Sequence, residues 1–217
     1  MAEHIDSTSI NNNLRYRFEY LSKFLNFTND DIEMLNYFGQ IALPFIPTVV
    51  DTLFQKLLEF DITKKYFLIR HFSYTGTLPI NETELTFQSE QMAFRRSTLI
   101  KYLKRIFRQR VWNDAFLEYL SYVGKMHTNM AGSESIDVNY IHISAFLAYM
   151  ENILLDTVLT NDQIDNTRKK LIILALNKFS WIQNDLFAMH YIIQSKNNNL
   201  QYYLPTTVVK TSNCLCN

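Results

Sequence analysis

The residues best placed to do chemistry lie in Tyr119–His127, YLSYVGKMH, where Tyr119, Leu120, Val123 and Met126 share one helical face that runs into His127. An imidazole at the inner end of an apolar helix offers a neutral lone pair in a dry setting. That is the donor a buried haem iron needs as axial ligand. The same residues also suit a half-buried histidine at a helix end and an ordinary packing glycine at Gly124, so taken alone they leave both readings open. Other chemistries lack their signatures: the chain has no GxxxxGK[ST] loop, no GxGxxG turn and no HExxH helix. His142 and His190 fall on later helices without a recognisable metal triad. Cys214 and Cys216 stand too close together to close a sizeable loop or to supply a four-ligand zinc site.

The elements that must position His127 are helical. With 47% apolar and 14% aromatic residues but only four Gly and four Pro, the 217-residue chain favours long helices around one aromatic-rich core. Apolar spacing predicts helices over 14–24, from a capping-box pattern at Thr28 and Asp31, over 48–60, 62–69, 90–107, 112–126, 138–159 and 162–193. The segments 73–86 and 128–137 read as a loop and a polar connection. Three regions result: a flexible segment 1–13, one helical domain 14–197 and a tail 198–217, with slight β character at Tyr202–Val209. Seven or eight unequal helices without repeats suit a globin layout better than an up-down bundle, although both share the 3.6-residue period.

Charge narrows the partners. Twenty-one basic residues balance twenty-one acidic ones, which argues against a nucleic-acid binder that works by phosphate neutralisation. The one basic cluster, Arg95, Arg96, Lys101, Lys104, Arg105, Arg108 and Arg110, reads as a solvated helix face followed by a basic turn; haem propionates or an acidic partner are its minor readings. MAEHIDSTSINNN has no apolar core for a secretory signal, and no window approaches eighteen uninterrupted apolar residues, so neither secretion nor a transmembrane segment is expected. The sequons at Asn26 and Asn81 carry little meaning without secretion, and a cytoplasmic chain with reduced cysteines is expected. The final CLCN formally matches a prenylation box with an unusual last Asn.

Three landmarks, VVDTLF at Val49–Phe54, DAFLEYLSYVGKMH at Asp114–His127 and the paired long helices that follow, give the chain its resemblance to the protoglobin and globin-coupled sensor family, over about Arg15 to Ile193. The resemblance implies an all-α, globin-like fold with an additional N-terminal helix and long C-terminal helices. It also implies haem b, with His127 as the proximal iron ligand, because Val123, Gly124, Lys125, Met126 and His127 match the family's apolar-Gly-x-x-His run. Gly124 would ease the approach of porphyrin or of a crossing helix. Family members commonly carry a tyrosine near Phe54, where its hydroxyl can reach bound oxygen; a phenyl ring supplies no such bond. Tyr66 or His71 would then be the polar groups available on that side.

Phe94, Leu99, Ile100 and Leu103 are candidate distal walls, and Tyr119, Met126, Tyr140, Phe146 and Met150 candidate proximal ones. The implied function is binding or sensing of a diatomic gas (oxygen, carbon monoxide or nitric oxide), with the last two helices as the surface of a homodimer. Two alternatives stand beside it: a haem-free interaction protein whose Phe, Tyr and Met side chains fill the haem volume, and a haem-dependent redox enzyme.

Overall fold

The computed structural model describes residues 2–203. Within them the chain forms α1 (Ser7–Asn12), α2 (Leu14–Leu25), α3 (Asn29–Ala42), α4 (Ile46–Leu58), the single turn α5 (Asp61–Lys64), α6 (Glu90–Arg108), α7 (Asp114–Met126), α8 (Tyr140–Thr160) and α9 (Asn166–Tyr203), with short 3-10 helices at Lys65–Leu68 and Asn129–Glu134. No strand occurs among the described residues. The fold is all-α and globin-like.

Local chemistry sets the helix boundaries. Asp31 accepts the Thr28 N–H at 2.8 Å to start α3, Asn113 accepts from Phe116 at 3.0 Å to start α7, and Asn139 accepts from Ile141 at 3.2 Å to start α8. Pro47 stands in the first turn of α4, where its missing N–H costs nothing. Within residues 1–13 the chain forms the short helix α1. Asp6 caps it by accepting from Thr8 and Ser9, and Lys23 pairs with Glu3 at 2.6 Å.

Two groups of helices face one another. On one side α6 packs against α3 and α4; on the other α7 packs against α2 and α9, and α9 lies along α3 and α8. Gly39 permits the first crossing, since an added Cβ would stand 2.6 Å from the Phe107 backbone oxygen. Phe38 and Phe107 fill that crossing edge to face, with ring centres 5.5 Å apart. Arg17 on α2 grips Asp185 on α9 with two bonds of 2.5 and 2.7 Å, and Lys178 on α9 reaches Asp31 on α3 at 2.9 Å.

The helix α9 is longer than its apolar pattern predicts at the C-terminal end, and its inner stripe is Ile172, Ala175, Leu176, Phe179, Ile182 and Leu186. Leu171 and Leu174, apolar residues of the same helix, lie outside this stripe and are exposed. Among the described residues α8 alone has the length and hydropathy of a membrane span. Its buried positions Ile143, Leu147, Met150, Leu154 and Val158 recur every three or four residues as one stripe of the shared core. The expected β character near Tyr202–Val209 falls largely outside the described residues, with 202 and 203 closing α9; the cysteines and CLCN lie wholly outside them.

Candidate functional site

Between the two helix groups lies a cavity of about 580 Å³, walled by α4, the segment 63–73, α6, α7, residues 136–138, α8 and α9. Its walls are mainly aromatic and aliphatic, and its size falls within the roughly 300–1,000 Å³ typical of cofactor sites. A second groove, about 780 Å³, opens between α2, α3 and residues 110–112. It is larger but holds no histidine, and its floor is the aromatic cluster of Phe18, Phe27 and Trp112. The smaller cavity is the one with donor chemistry.

His127 caps the C-terminus of α7 and faces this cavity. The residue is half-buried and lines the cavity. Its Nδ1 lies 2.7 Å from the carbonyl oxygen of Val123, one turn back. A carbonyl only accepts, so Nδ1 carries the proton and Nε2 keeps a free lone pair. Burial pushes the imidazole below its ordinary pKa, opposed by the bond to Val123 and helped by the Arg95 charge. The ring is therefore neutral at pH 7, the state a metal ligand needs. Phe187 flanks it at 5.6 Å between ring centres.

The backbone around His127 is held from three directions. Val138 N–H donates to the His127 oxygen at 2.8 Å and Ile136 N–H to the Met126 oxygen at 2.7 Å, folding residues 128–138 back onto the helix end. The Tyr191 hydroxyl on α9 lies 3.0 Å from the His127 oxygen and 2.8 Å from that of Val138. Gly124 brings α7 onto α9: an added Cβ would stand 2.9 Å from Phe187 Cα. The close approach foreseen at Gly124 is thus to a crossing helix.

The facing wall supplies other polar groups. Phe54 lines the cavity and packs on Phe67, with ring centres 5.6 Å apart, so no hydroxyl arises there. Tyr66 and His71 both line it. Gln91 anchors the backbone carrying His71 by donating to the oxygens of Phe67 and Ile69. His71 Nδ1 accepts the Ser73 N–H at 3.2 Å, which leaves Nε2–H as the remaining polar atom of the ring. Burial, followed by the Arg95 charge, pushes its pKa down to about 4. His142 also reaches the cavity, 5.9 Å from Tyr66 between ring centres.

Besides Tyr66 and His71, nine residues expected from sequence at the pocket line this one space: Phe54, Phe94, Leu99, Tyr119, Val123, Met126, His127, Phe146 and Met150. Ile100 and Leu103 do not. Leu103 is fully buried in the main core and Ile100 packs against its edge. Tyr140 is also absent from the lining; its hydroxyl donates to Asn184 at 2.9 Å. Arg95, read as part of a solvated face, is 8% exposed and lines the cavity. Its signal was its register: Met92, Arg95, Leu99, Tyr102 and Ile106 form one helical stripe in which Arg95 is the only charge. The lining residue Tyr102 is held by Gln183 on α9, whose amide donates to its hydroxyl at 2.7 Å. Spacing gave no signal for that pair, which joins distant segments.

Helices crossed in this order, around a largely apolar cavity lined by His127 at the end of α7, define a globin-like protein with added terminal helices. The structure resembles the globin domain of the Geobacter sulfurreducens globin-coupled sensor, with a TM-score of 0.62 at 16% identity over 80% of this chain and 96% of that one. No curated protein matches the chain. The family model Protoglobin matches residues 14–197, and the chain belongs to the haem-binding protoglobin family.

The cavity suits the group the family implies. His127, its Nδ1 bonded to Val123, lines a largely apolar cavity, while among the described residues no three His, Cys, Asp or Glu side chains gather to hold a metal by themselves.

Proposed function

We propose that the chain binds haem b in this cavity with His127 as axial ligand, and that it binds or senses a diatomic gas on the opposite face. The observation that carries the reading is the pinned imidazole: Nδ1–H is spent on Val123, and Nε2 is left bare in a neutral ring. The haem-free alternative would have side chains fill this volume, whereas about 580 Å³ stays open.

When bound, haem supplies an iron centre able to take oxygen, carbon monoxide or nitric oxide. Val123 orients the ligand ring, Phe187 and Met126 exclude water beside it, and Phe54 adds an apolar ring to the facing wall. Lys101, exposed at the mouth, and His142 are suited to the carboxylates of the porphyrin. Movement of His127 would reach α9 through the Tyr191 hydroxyl and through the Gly124–Phe187 contact.

A homodimer through the last two helices fits the surface of α9, where Leu171, Leu174 and Trp181 are 45%, 46% and 58% exposed. Sedimentation of wild type as a dimer and of Trp181→Glu as a monomer is expected; a monomeric wild type would refute this arrangement.

Haem titration followed by gas exposure tests the main reading. One equivalent of haem should give a saturable Soret band, and the reduced protein should shift that band with carbon monoxide. Haem uptake without any gas-dependent shift would leave a cofactor site but no gas site.

A further inference from the structure

Arg95 is buried without a counter-ion. Its side chain lines the cavity at 8% exposure, and its only hydrogen bond runs from Nη2 to the Ile69 oxygen at 3.0 Å. Nε is buried with no partner, and among the described residues no carboxylate pairs with this guanidinium. The neighbouring Arg96 shows the contrast, since it pairs with Asp51 at 3.0 Å and lies over the Phe87 ring. Isolating a charge from water is costly unless a charge of the opposite sign meets it. Burial lowers the Arg95 pKa only to about 10, so the group stays cationic at neutral pH.

The position of this cation within the cavity selects its partner. Along α6 the lining residues fall into two rows. Phe94, Thr98 and Lys101 run toward the exposed mouth, and Arg95, Leu99 and Tyr102 run inward. Carboxylates on the rim of a bound porphyrin would meet the outer row. Arg95 belongs to the inner row, bonded two residues from His71, and its charge is felt by both His71 and His127.

We infer that Arg95, with the Nε2–H of His71, forms an anion-recognition pair inside the cavity, selecting a small monovalent anion as a ligand beside the cofactor. This inference rests on the haem reading and adds a ligand class that neutral diatomic gases do not cover. The guanidinium supplies charge and unspent N–H donors; the imidazole supplies a neutral donor held in place by Ser73.

The test is an absorbance titration of the ferric haem-loaded protein with sodium fluoride and sodium azide, beside carbon monoxide on the ferrous protein, for wild type and Arg95→Leu. Losing a charge-assisted hydrogen bond should weaken fluoride and azide by about 10- to 100-fold, and so lower the ratio of anion to carbon monoxide affinity. If Arg95→Leu folds poorly, Arg95→Lys decides the point by the same ratio, expected to fall several-fold. An unchanged ratio with intact haem uptake overturns the inference alone. Weaker haem uptake with unchanged anion affinity assigns Arg95 to a porphyrin carboxylate and also overturns it. Failure of the wild type to take up haem overturns both this inference and the reading beneath it.

Discussion

His127 and Val123 are locked together by a 2.7 Å hydrogen bond from imidazole Nδ1–H to the carbonyl oxygen one turn earlier, which fixes the tautomer before any ligand arrives. His71 takes the opposite form, because its Nδ1 accepts from Ser73 and its proton resides on Nε2. One ring is a lone-pair donor toward the cavity; the other is an N–H donor. Nitrogen-15 correlation spectra of the haem-free protein at pH 7 should show His127 protonated on Nδ1 and His71 on Nε2. The same tautomer for both rings would contradict this division of roles.

Gly124 should tolerate no side chain. In Gly124→Ala the new methyl group meets Phe187 Cα at 2.9 Å, a backbone atom that cannot rotate away. Forcing α7 and α9 apart should cost about 1–3 kcal/mol. It should also weaken haem binding, because the contact lies one turn from His127. Chemical denaturation and haem titration measure the two effects; unaltered stability would show that the helices can separate freely.

Phe54 sets the polarity of the facing wall. Phe54→Tyr adds a hydroxyl to a ring that is 6% exposed and lines the cavity. A new hydrogen bond worth about 1 kcal/mol should tighten oxygen binding roughly fivefold with little change for carbon monoxide. Equal changes for both gases would mean that the hydroxyl acts by bulk and not by donation.

Acidification should destabilise the haem-free fold. His71 titrates at about 4 when folded and near the ordinary 6.5 when unfolded, so between these values the unfolded chain binds more protons. The stabilisation is complete above pH 6.5 and is lost as the pH falls toward 4, amounting to on the order of 2–3 kcal/mol. His127 and His190 are shifted in the same direction by burial and add to the slope. Denaturation midpoints at pH 7 and 4.5 should differ less in His71→Leu than in wild type. Identical pH slopes for the two chains would exclude His71 as a source.

The part of the cavity wall that carries His127 was legible because it lies in one continuous helix. Tyr119, Val123, Met126 and His127 follow helical spacing, and that spacing alone brings them to one face. The facing half depends on where α6 is rotated. Leu99, Ile100 and Leu103 satisfy the same apolar period, yet α6 borders both the cavity and the α3–α4 core, and spacing cannot say which neighbour each residue meets. Only Leu99 of these three reaches the cavity. The burial of Arg95 was not legible in the sequence, because charged residues in a basic run are ordinarily solvated. That burial comes with a tertiary contact to Ile69, 26 residues away. The helix at Ser7–Asn12 depends on Asp6 as a cap and on long-range anchoring through Lys23, and has little apolar periodicity of its own.

The most direct test of the central claim replaces the ligand and then restores it. His127→Gly should take up haem weakly, with a visible spectrum unlike wild type, and added imidazole should return the wild-type spectrum with one molecule bound per haem. A His127→Gly protein that shows the wild-type spectrum before imidazole is added would contradict ligation by His127.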